Sequence, residues 1–255
     1  MSVITLAVAD GIATVTLDRP ERRNAVTLAM WRELGRIFEG FAGDETVRAV
    51  ILTGAGGNFC AGADIGEFAT QRDDAGEGSV YDRAVDACTR AIAELPKPSI
   101  AAISGYCIGG GAALALACDF RFAEAAAQFG IPAARLGIVY SLRETRTLYS
   151  LVGLSQAKRI LFDGERFDAA EALRIGFIDR IVADAPTESR LYAARLALNA
   201  PLSIAGAKLA LNGLAAGDYD FEAVAAASAR ALDSADYAEG RNAFAEKRSP
   251  RFTGK

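Results

Sequence analysis

Apolar positions along the chain follow two periods, and the changes between them mark the elements. Val3 to Val8 and Ile12 to Leu17 are β-rich runs separated by Asp10-Gly11, a dipeptide that turns a hairpin because both of its residues tolerate positive φ. From Thr27 through Phe41 the spacing becomes three and four, with Leu28, Trp31, Leu34, Ile37, Phe38 and Phe41 on one side. This predicts an amphipathic helix with Thr27 as its N-cap. Val47 to Thr53 reads as a buried strand, and Val80 to about Leu95 as a helix ended by Pro96 and Pro98, which cannot donate into a helix ladder. A strand from Ser99 to Ile103, a small-residue helix from Ala112 to Ala117 and a strand from Asp119 to Phe122 follow. Beyond them lie short helices at Leu142 to Leu151, Ser155 to Leu161 and Asp168 to Arg174, then a strand from Phe177 to Val182. The chain from about Thr187 onward reads as almost wholly helical, with a bend at Asn199-Ala200-Pro201.

Two of the predicted strands, VRAVILT and SIAAI, each run into a glycine-rich loop: GAGGNFCAGAD after the first and SGYCIGGG after the second. In open α/β sheets ligands gather beyond the carboxyl ends of such strands. Two loops that each point a backbone N–H at one oxygen would form an oxyanion hole, one of the largest single contributions to catalysis. Either loop also has a plainer reading. A glycine triplet serves close packing of a helix on a sheet. GAGGNFCAGAD resembles a phosphate cradle, but it lacks both the G-K-[ST] ending and the G-x-G-x-x-G that opens a helix.

Composition narrows the chemistry. With 255 residues, 51% hydrophobic and 24% charged, the chain has the makings of one large domain, or of one with a smaller appendage. Its 28 basic and 32 acidic residues give a net charge of −4, and no dense Lys/Arg run offers a track for phosphates, so nucleic acid is not an expected partner. No basic leader and no apolar stretch of about 18 residues is found, so a cytoplasmic protein without membrane attachment is expected. Cys60, Cys88, Cys107 and Cys118 lack a C-x-x-C spacing and are expected as free thiols. Histidine is absent altogether. Ser-His-Asp and Cys-His triads, an imidazole base and His-ligated zinc are therefore excluded, and no metal or separate cofactor is expected. Carboxylates, phenols and backbone donors are what remain.

Taken together, VRAVILTGAGGNFCAGADIGEF, PKPSIAAISGYCIGGGAALALACDFRFAEAAAQFGIP, RLGI, LVGLSQAKRILFDGERFDAAEALRIGFIDRIV and YAEGRNAFAEKRSPRF resemble the enoyl-CoA hydratase/isomerase (crotonase) superfamily, in its order and spacing along nearly the whole chain. The resemblance implies an α/β spiral of ββα units over residues 1–186 with a helical C-terminal region over 187–255. It also implies a homotrimer or dimer of trimers and an acyl-CoA thioester as ligand, with coenzyme A entering only as part of the substrate. By position, the N–H groups of Ala63 and Gly110 would hold the thioester carbonyl. Gly62, Asp64, Ile65, Gly109, Ala113, Ala133 and Arg143 would line the substrate site, although Asp64 and Asp119 match positions that hold loops in place.

The chain departs from its family at the acid/base positions. Hydratases carry a glutamate in a GGGCELA context and a second in FGQPE; here the matching stretches read GGGAALA and FGIPA, which puts Ala113 and Ala133 at those places. A catalytic acid or base is worth typically 10²–10⁴-fold. Where many relatives have a glycine-rich IPGAGGTQ loop, this chain reads IVYSLRETRTL, bringing Tyr140, Ser141, Arg143, Glu144 and Arg146. That region is locally similar to methylmalonyl-CoA decarboxylase, whose tyrosine falls on Tyr140, although the histidine of that relative is replaced here by Ala63. Loss of CO₂ from a malonyl-type thioester makes an enolate without a base, and a phenol or guanidinium could orient the leaving carboxylate or deliver the final proton. Glu144, about one helical turn from Tyr140, is a candidate substitute base for isomerisation; it also reads as a surface ion pair between Arg143 and Arg146. Decarboxylation or isomerisation is thus expected ahead of hydration, and a catalytically silent acyl-CoA-binding or scaffolding subunit is the alternative. Lys247 and Arg248 read either as CoA-phosphate contacts or as a solvated cluster. Gly66 stands where hydratases often have a lysine, and Cys107 has no neighbour to make it a thiolate.

Overall fold

The Asp10-Gly11 hairpin seeds the main sheet. In the computed structural model, which describes residues 3–64, 66 and 80–255, β1 (Ile4–Ala9) and β2 (Ile12–Leu17) pair antiparallel with Ala9 opposite Ile12. Asp10 and Gly11 take φ of 54° and 74°. Outward from β2, all parallel, lie β3 (Ala49–Gly54), β4 (Ser99–Ile103), β6 (Phe120–Glu124) and β9 (Arg180–Val182), giving the order β1-β2-β3-β4-β6-β9. A second, three-stranded sheet is formed by β5 (Tyr106–Ile108), β7 (Gln128–Gly130) and β8 (Phe167–Asp168). The helices among the described residues are α1 (Leu28–Gly43), α2 (Val80–Ala93), α3 (Gly110–Ala117), α4 (Leu142–Asp163), α5 (Ala169–Arg174), α6 (Ala185–Ala197), α7 (Pro201–Ala216), α8 (Phe221–Leu232) and α9 (Ala235–Glu246).

Alternation along the strands sorts side chains between two cores. Val15, Leu17, Val50, Leu52, Ala101 and Ile103 face the larger one, with Trp31, Leu34 and Phe38 of α1 and Cys88 and Ile92 of α2. Their neighbours Ile12, Ala49, Ile51, Ile100 and Ala102 bury on the other face beside Ala185 and Ala193 of α6. Both faces are covered, so these strands read as continuous apolar runs. The spacing-predicted helix is capped as expected, with the Thr27 hydroxyl accepting from Met30 N at 3.2 Å.

Three differences from the sequence reading have local causes. Helix α3 starts at Gly110 rather than Ala112, since its first turn is built from the glycines themselves. The final strand shortens to Arg180–Val182 because the amides of Phe177 and Ile178 bond back to Ala172 O, at 2.9 and 3.3 Å, as a turn after α5. Phe177 then packs edge-on against Phe129 and Phe167. Strands β5, β7 and β8 are two or three residues long, too short to show a period.

The two predicted helices at 142–151 and 155–161 meet at Gly153, whose φ of 74° and ψ of 169° break α4. The expected division at 186/187 falls inside α6, which packs on the sheet. Beyond it, α7 and α8 bury no residue. The tail returns to α9, where the Asp236 carboxylate accepts from Thr253 N and Gly254 N at 2.6 and 2.7 Å. No helix among the described residues is long and apolar enough to cross a membrane.

Candidate active site

The loops after β3 and β4 are stitched together by backbone hydrogen bonds. Cys60 N donates to Tyr106 O at 2.7 Å and Ile108 N to Cys60 O at 3.0 Å, an isolated parallel bridge between the loop after β3 and β5. The buried Asn24 side chain ties the same loop to the chain before α1, donating to Ala55 O and Asn58 O at 2.9 and 2.6 Å. A second bridge runs from Val26 N to Gly62 O at 2.8 Å and from Asp64 N to Val26 O at 3.0 Å. In a parallel bridge the middle residue turns its own amide away. Ala63 is that residue, and its N–H has no acceptor among the described residues.

Gly110 supplies the second unpaired amide. It is the first residue of α3, where an N–H has no partner within the helix, and it too meets no acceptor among the described residues. The two amides are close. A Cβ on Gly110 would lie 3.4 Å from Ala63 N and 3.0 Å from Trp31 Cζ2, while one on Gly62 would lie 3.8 Å from Gly110 N.

Each glycine of the triplet therefore has its own cause. Gly109 adopts φ of 53° and ψ of −112°, Gly110 leaves room in front of Ala63 N, and a Cβ on Gly111 would come within 2.3 Å of Cys60 O. Packing explains Gly111 outright; at Gly110 the absent side chain both spares the buried Trp31 ring and leaves the space before Ala63 N open. An oxygen placed between the two amides would receive two N–H donors and the positive end of α3.

The wall beside these donors is apolar. Ala113 and Ala133 are 2% and 6% exposed, and Ala133 belongs to the main core. Ala133 sits in the 3-10 turn Pro132–Leu136, which a hydrogen bond from Gly109 N to Gly130 O at 2.8 Å holds beside the glycines.

Tyr140 and Glu144 come next along the chain, in an arrangement that differs from the one expected. Ser141 is extended, at φ −60° and ψ 156°, and caps α4, so Tyr140 lies before the helix and not one turn from Glu144 on a shared face. Ser141 and Glu144 form a capping box: Glu144 N donates to Ser141 Oγ at 3.3 Å, and Ser141 N to Glu144 Oε2 at 3.2 Å. Burial raises the Glu144 pKa above the usual carboxylate value, with Asp86 and Asp82 adding to it and the Ser141 bonds opposing. The half-buried Tyr140 donates its hydroxyl to Gly109 O at 3.1 Å. Burial, then the charge of Glu144, push its phenol well above the ordinary range.

The ion pair weighed for Glu144 does not form with Arg143 or Arg146. Arg143 instead reaches Asp86 of α2 at 2.9 Å and Glu94, just past the end of that helix, at 3.7 Å.

Other predicted positions act as anchors. Asp64 accepts from both guanidinium NH groups of Arg19 at 3.0 Å and from Gly66 N at 3.1 Å. Asp119 accepts from Ser99 N and from Lys208 Nζ, both at 2.8 Å. Arg248 is paired with Glu239 and Glu246, and Lys247 takes the left-handed position that ends α9. Cys107 is fully buried and its thiol is pushed well up by that burial. Ile65 lies outside the described residues.

Two contributors escaped the sequence reading. Trp31 read as ordinary helix core, yet its ring stands under Gly110 and its Nε1 donates to Tyr81 Oη at 2.7 Å. Asn24 had one signal, an asparagine before a helix cap, and asparagine tolerates the left-handed backbone it adopts at φ 59°. Among the described residues, no three acidic or cysteine side chains converge to hold a metal ion.

Known proteins resemble this chain in sequence and fold. The enoyl-CoA hydratase/isomerase family model matches residues 7–255. The short-chain-enoyl-CoA hydratase of Clostridium acetobutylicum is 34% identical over 244 residues, covering 93% of this chain and 92% of its own. The 1,2-epoxyphenylacetyl-CoA isomerase of Escherichia coli is 34% identical over 264 residues, with both chains fully covered. Among solved structures, an enoyl-CoA hydratase/carnithine racemase from Magnetospirillum magneticum superposes with a TM-score of 0.93 at 39% identity, over 100% of this chain and 97% of that one. With its facing loops, its spiral of strands and this match over nearly its whole length, the chain belongs to the enoyl-CoA hydratase/isomerase family and has the crotonase fold.

Proposed function

We propose that the chain is an acyl-CoA enzyme that binds a thioester carbonyl between Ala63 N and Gly110 N and stabilises the enolate formed from it. The observation that carries this is the pair of unpaired amides, brought close to each other where two glycine-rich loops meet. Removing one such donor from an oxyanion hole costs an enzyme about 10²–10³ in rate.

Hydration is the less favoured reaction. It needs an acid and a base around the double bond, and Ala113 and Ala133 offer methyl groups where hydratases of the family carry glutamates. Two reactions suit what is present. An apolar wall suits decarboxylation of a malonyl-type thioester: the C–C bond electrons pass into the enolate, CO₂ leaves, and a proton is then taken up at carbon. A carboxylate at either alanine would repel the substrate carboxylate. Glu144, with its raised pKa beside Tyr140, instead favours a shift of the double bond by moving one proton. The exposed Leu211, Leu214 and Phe221 on α7 and α8 support assembly into a trimer or dimer of trimers.

The test is a mass-spectrometric turnover screen of the purified protein against crotonyl-CoA, a 3-enoyl-CoA, malonyl-CoA and methylmalonyl-CoA, with binding recorded alongside. Loss of CO₂ or double-bond migration, with crotonyl-CoA slow, is the expected result. Rapid hydration of crotonyl-CoA overturns the order of reactions, and tight binding without any turnover favours a silent acyl-CoA-binding subunit.

A further inference from the structure

We infer that Tyr140 is a positioning residue that acts on the site through the Gly109–Gly110 peptide. Its hydroxyl donates to Gly109 O at 3.1 Å, and the N–H at the other end of that peptide unit is the Gly110 donor. This rests on the reading of Ala63 and Gly110 as the thioester-carbonyl site.

A peptide unit is planar, so fixing its oxygen fixes the direction of its N–H. The torsions on either side of this peptide are intrinsically loose, so hydrogen bonds must hold its plane. Gly109, at φ 53° and ψ −112°, has no Cβ to favour one orientation of the plane, and the residue after it is glycine as well. The helix gives Gly109 O one partner, Ala113 N at 3.0 Å. Tyr140 occupies the second acceptor position of that oxygen. Two donors on one carbonyl polarise the amide, and a more polarised amide offers a stronger N–H to an oxyanion.

The rest of the segment serves the same end. The Ser141–Glu144 capping box sets where α4 begins, and thereby where the residue before it sits. Burial and the Glu144 charge keep the phenol protonated, so it remains a donor over the pH range in which enzymes work. A phenol whose hydrogen is engaged in this way is not aimed at a substrate as a proton donor. The effect belongs on the strength of the oxyanion donor, and hence on kcat, with little on ground-state binding.

The experiment compares wild type with Tyr140→Phe, which keeps the ring and removes the hydroxyl. A ¹³C-labelled acetyl-CoA thioester is bound to each, and isotope-edited infrared spectroscopy reads the carbonyl stretch, alongside the dissociation constant, the melting temperature and the turnover of whichever substrate the screen identifies. We expect binding to stay within about twofold, while the downward shift of the carbonyl band on binding shrinks by half or more. We expect kcat to fall about 5- to 30-fold with KM little changed, less than the 10²–10³ of losing a donor outright. An undiminished band shift in folded Tyr140→Phe overturns the inference. A wild-type protein that binds the thioester with no band shift overturns the reading of the carbonyl site itself, and the inference with it. Should the variant not fold, wild-type protein made with fluorotyrosine decides the matter: its more acidic phenol is a stronger donor, the band should move further, and an unmoved band overturns the proposal.

Discussion

A Cβ on Gly110 would stand 3.4 Å from the amide nitrogen of Ala63 and 3.0 Å from the Trp31 ring. Gly110 is helical and carries no positive φ, so alanine there is not strained by its backbone. Gly110→Ala should therefore still fold, with a melting temperature lowered by the push on the buried Trp31 ring, while the new methyl crowds the space between the two donors. Turnover should fall about 10²-fold or more. Steady-state kinetics read beside a thermal melt check this; a variant with undiminished kcat would place the chemistry elsewhere.

Glu144 binds its proton more tightly in the folded chain than in the unfolded one, because burial raises its pKa. Stability from this group is complete below the ordinary carboxylate value of 4.5 and is lost as pH rises from there through the folded value. Glutamine keeps the capping box without the charge. In urea unfolding at pH 4 and pH 7, Glu144→Gln should gain relative to wild type at the higher pH. The same variant separates the two favoured reactions: double-bond migration through Glu144 should lose about 10²–10⁴-fold, and decarboxylation should not.

Arg121 is 2% exposed and spends its guanidinium on three partners: Phe177 O at 3.0 Å, Cys118 O at 2.9 Å and Asp179 at 2.8 Å. It thereby ties β6 to the turn before β9. Arg121→Met keeps the stem and the residue-121 N–H that also bonds Asp179 at 2.7 Å, but leaves two carbonyls without their side-chain donor, which should cost about 2–4 kcal/mol. The midpoint of denaturant unfolding measures it, and a shift worth less than about 1 kcal/mol would contradict the network.

All four cysteines are buried. Burial pushes the Cys60 and Cys118 thiols up to about 12, and raises Cys88 and Cys107 as well. Thiolates are then scarce at pH 8. The native protein should be nearly inert to a disulfide reagent such as DTNB, with four thiols reacting promptly after denaturation. Fast modification of even one thiol in the native state would mean that its loop opens far more readily than its packing implies.

Periodicity along the chain was enough for the hairpin at Asp10-Gly11, the capped helix α1, the buried strands β3 and β4 and the glycine loops after them. Each depends on neighbours a few residues away: a turn dipeptide, a cap, an alternation. The resemblance carried further, to the crotonase fold and to Ala63 and Gly110 as the expected donors. Only the tertiary structure placed two unpaired amides beside each other, because their closeness depends on bridges between Val26 and Ala63 and between Cys60 and Cys107. It alone assigned Glu144 to a capping box and turned Tyr140 onto Gly109 O, 31 positions away in the chain. A side chain's local sequence states what it can donate or accept; which partner it meets is decided by how distant segments pack, and that information is absent from any short window.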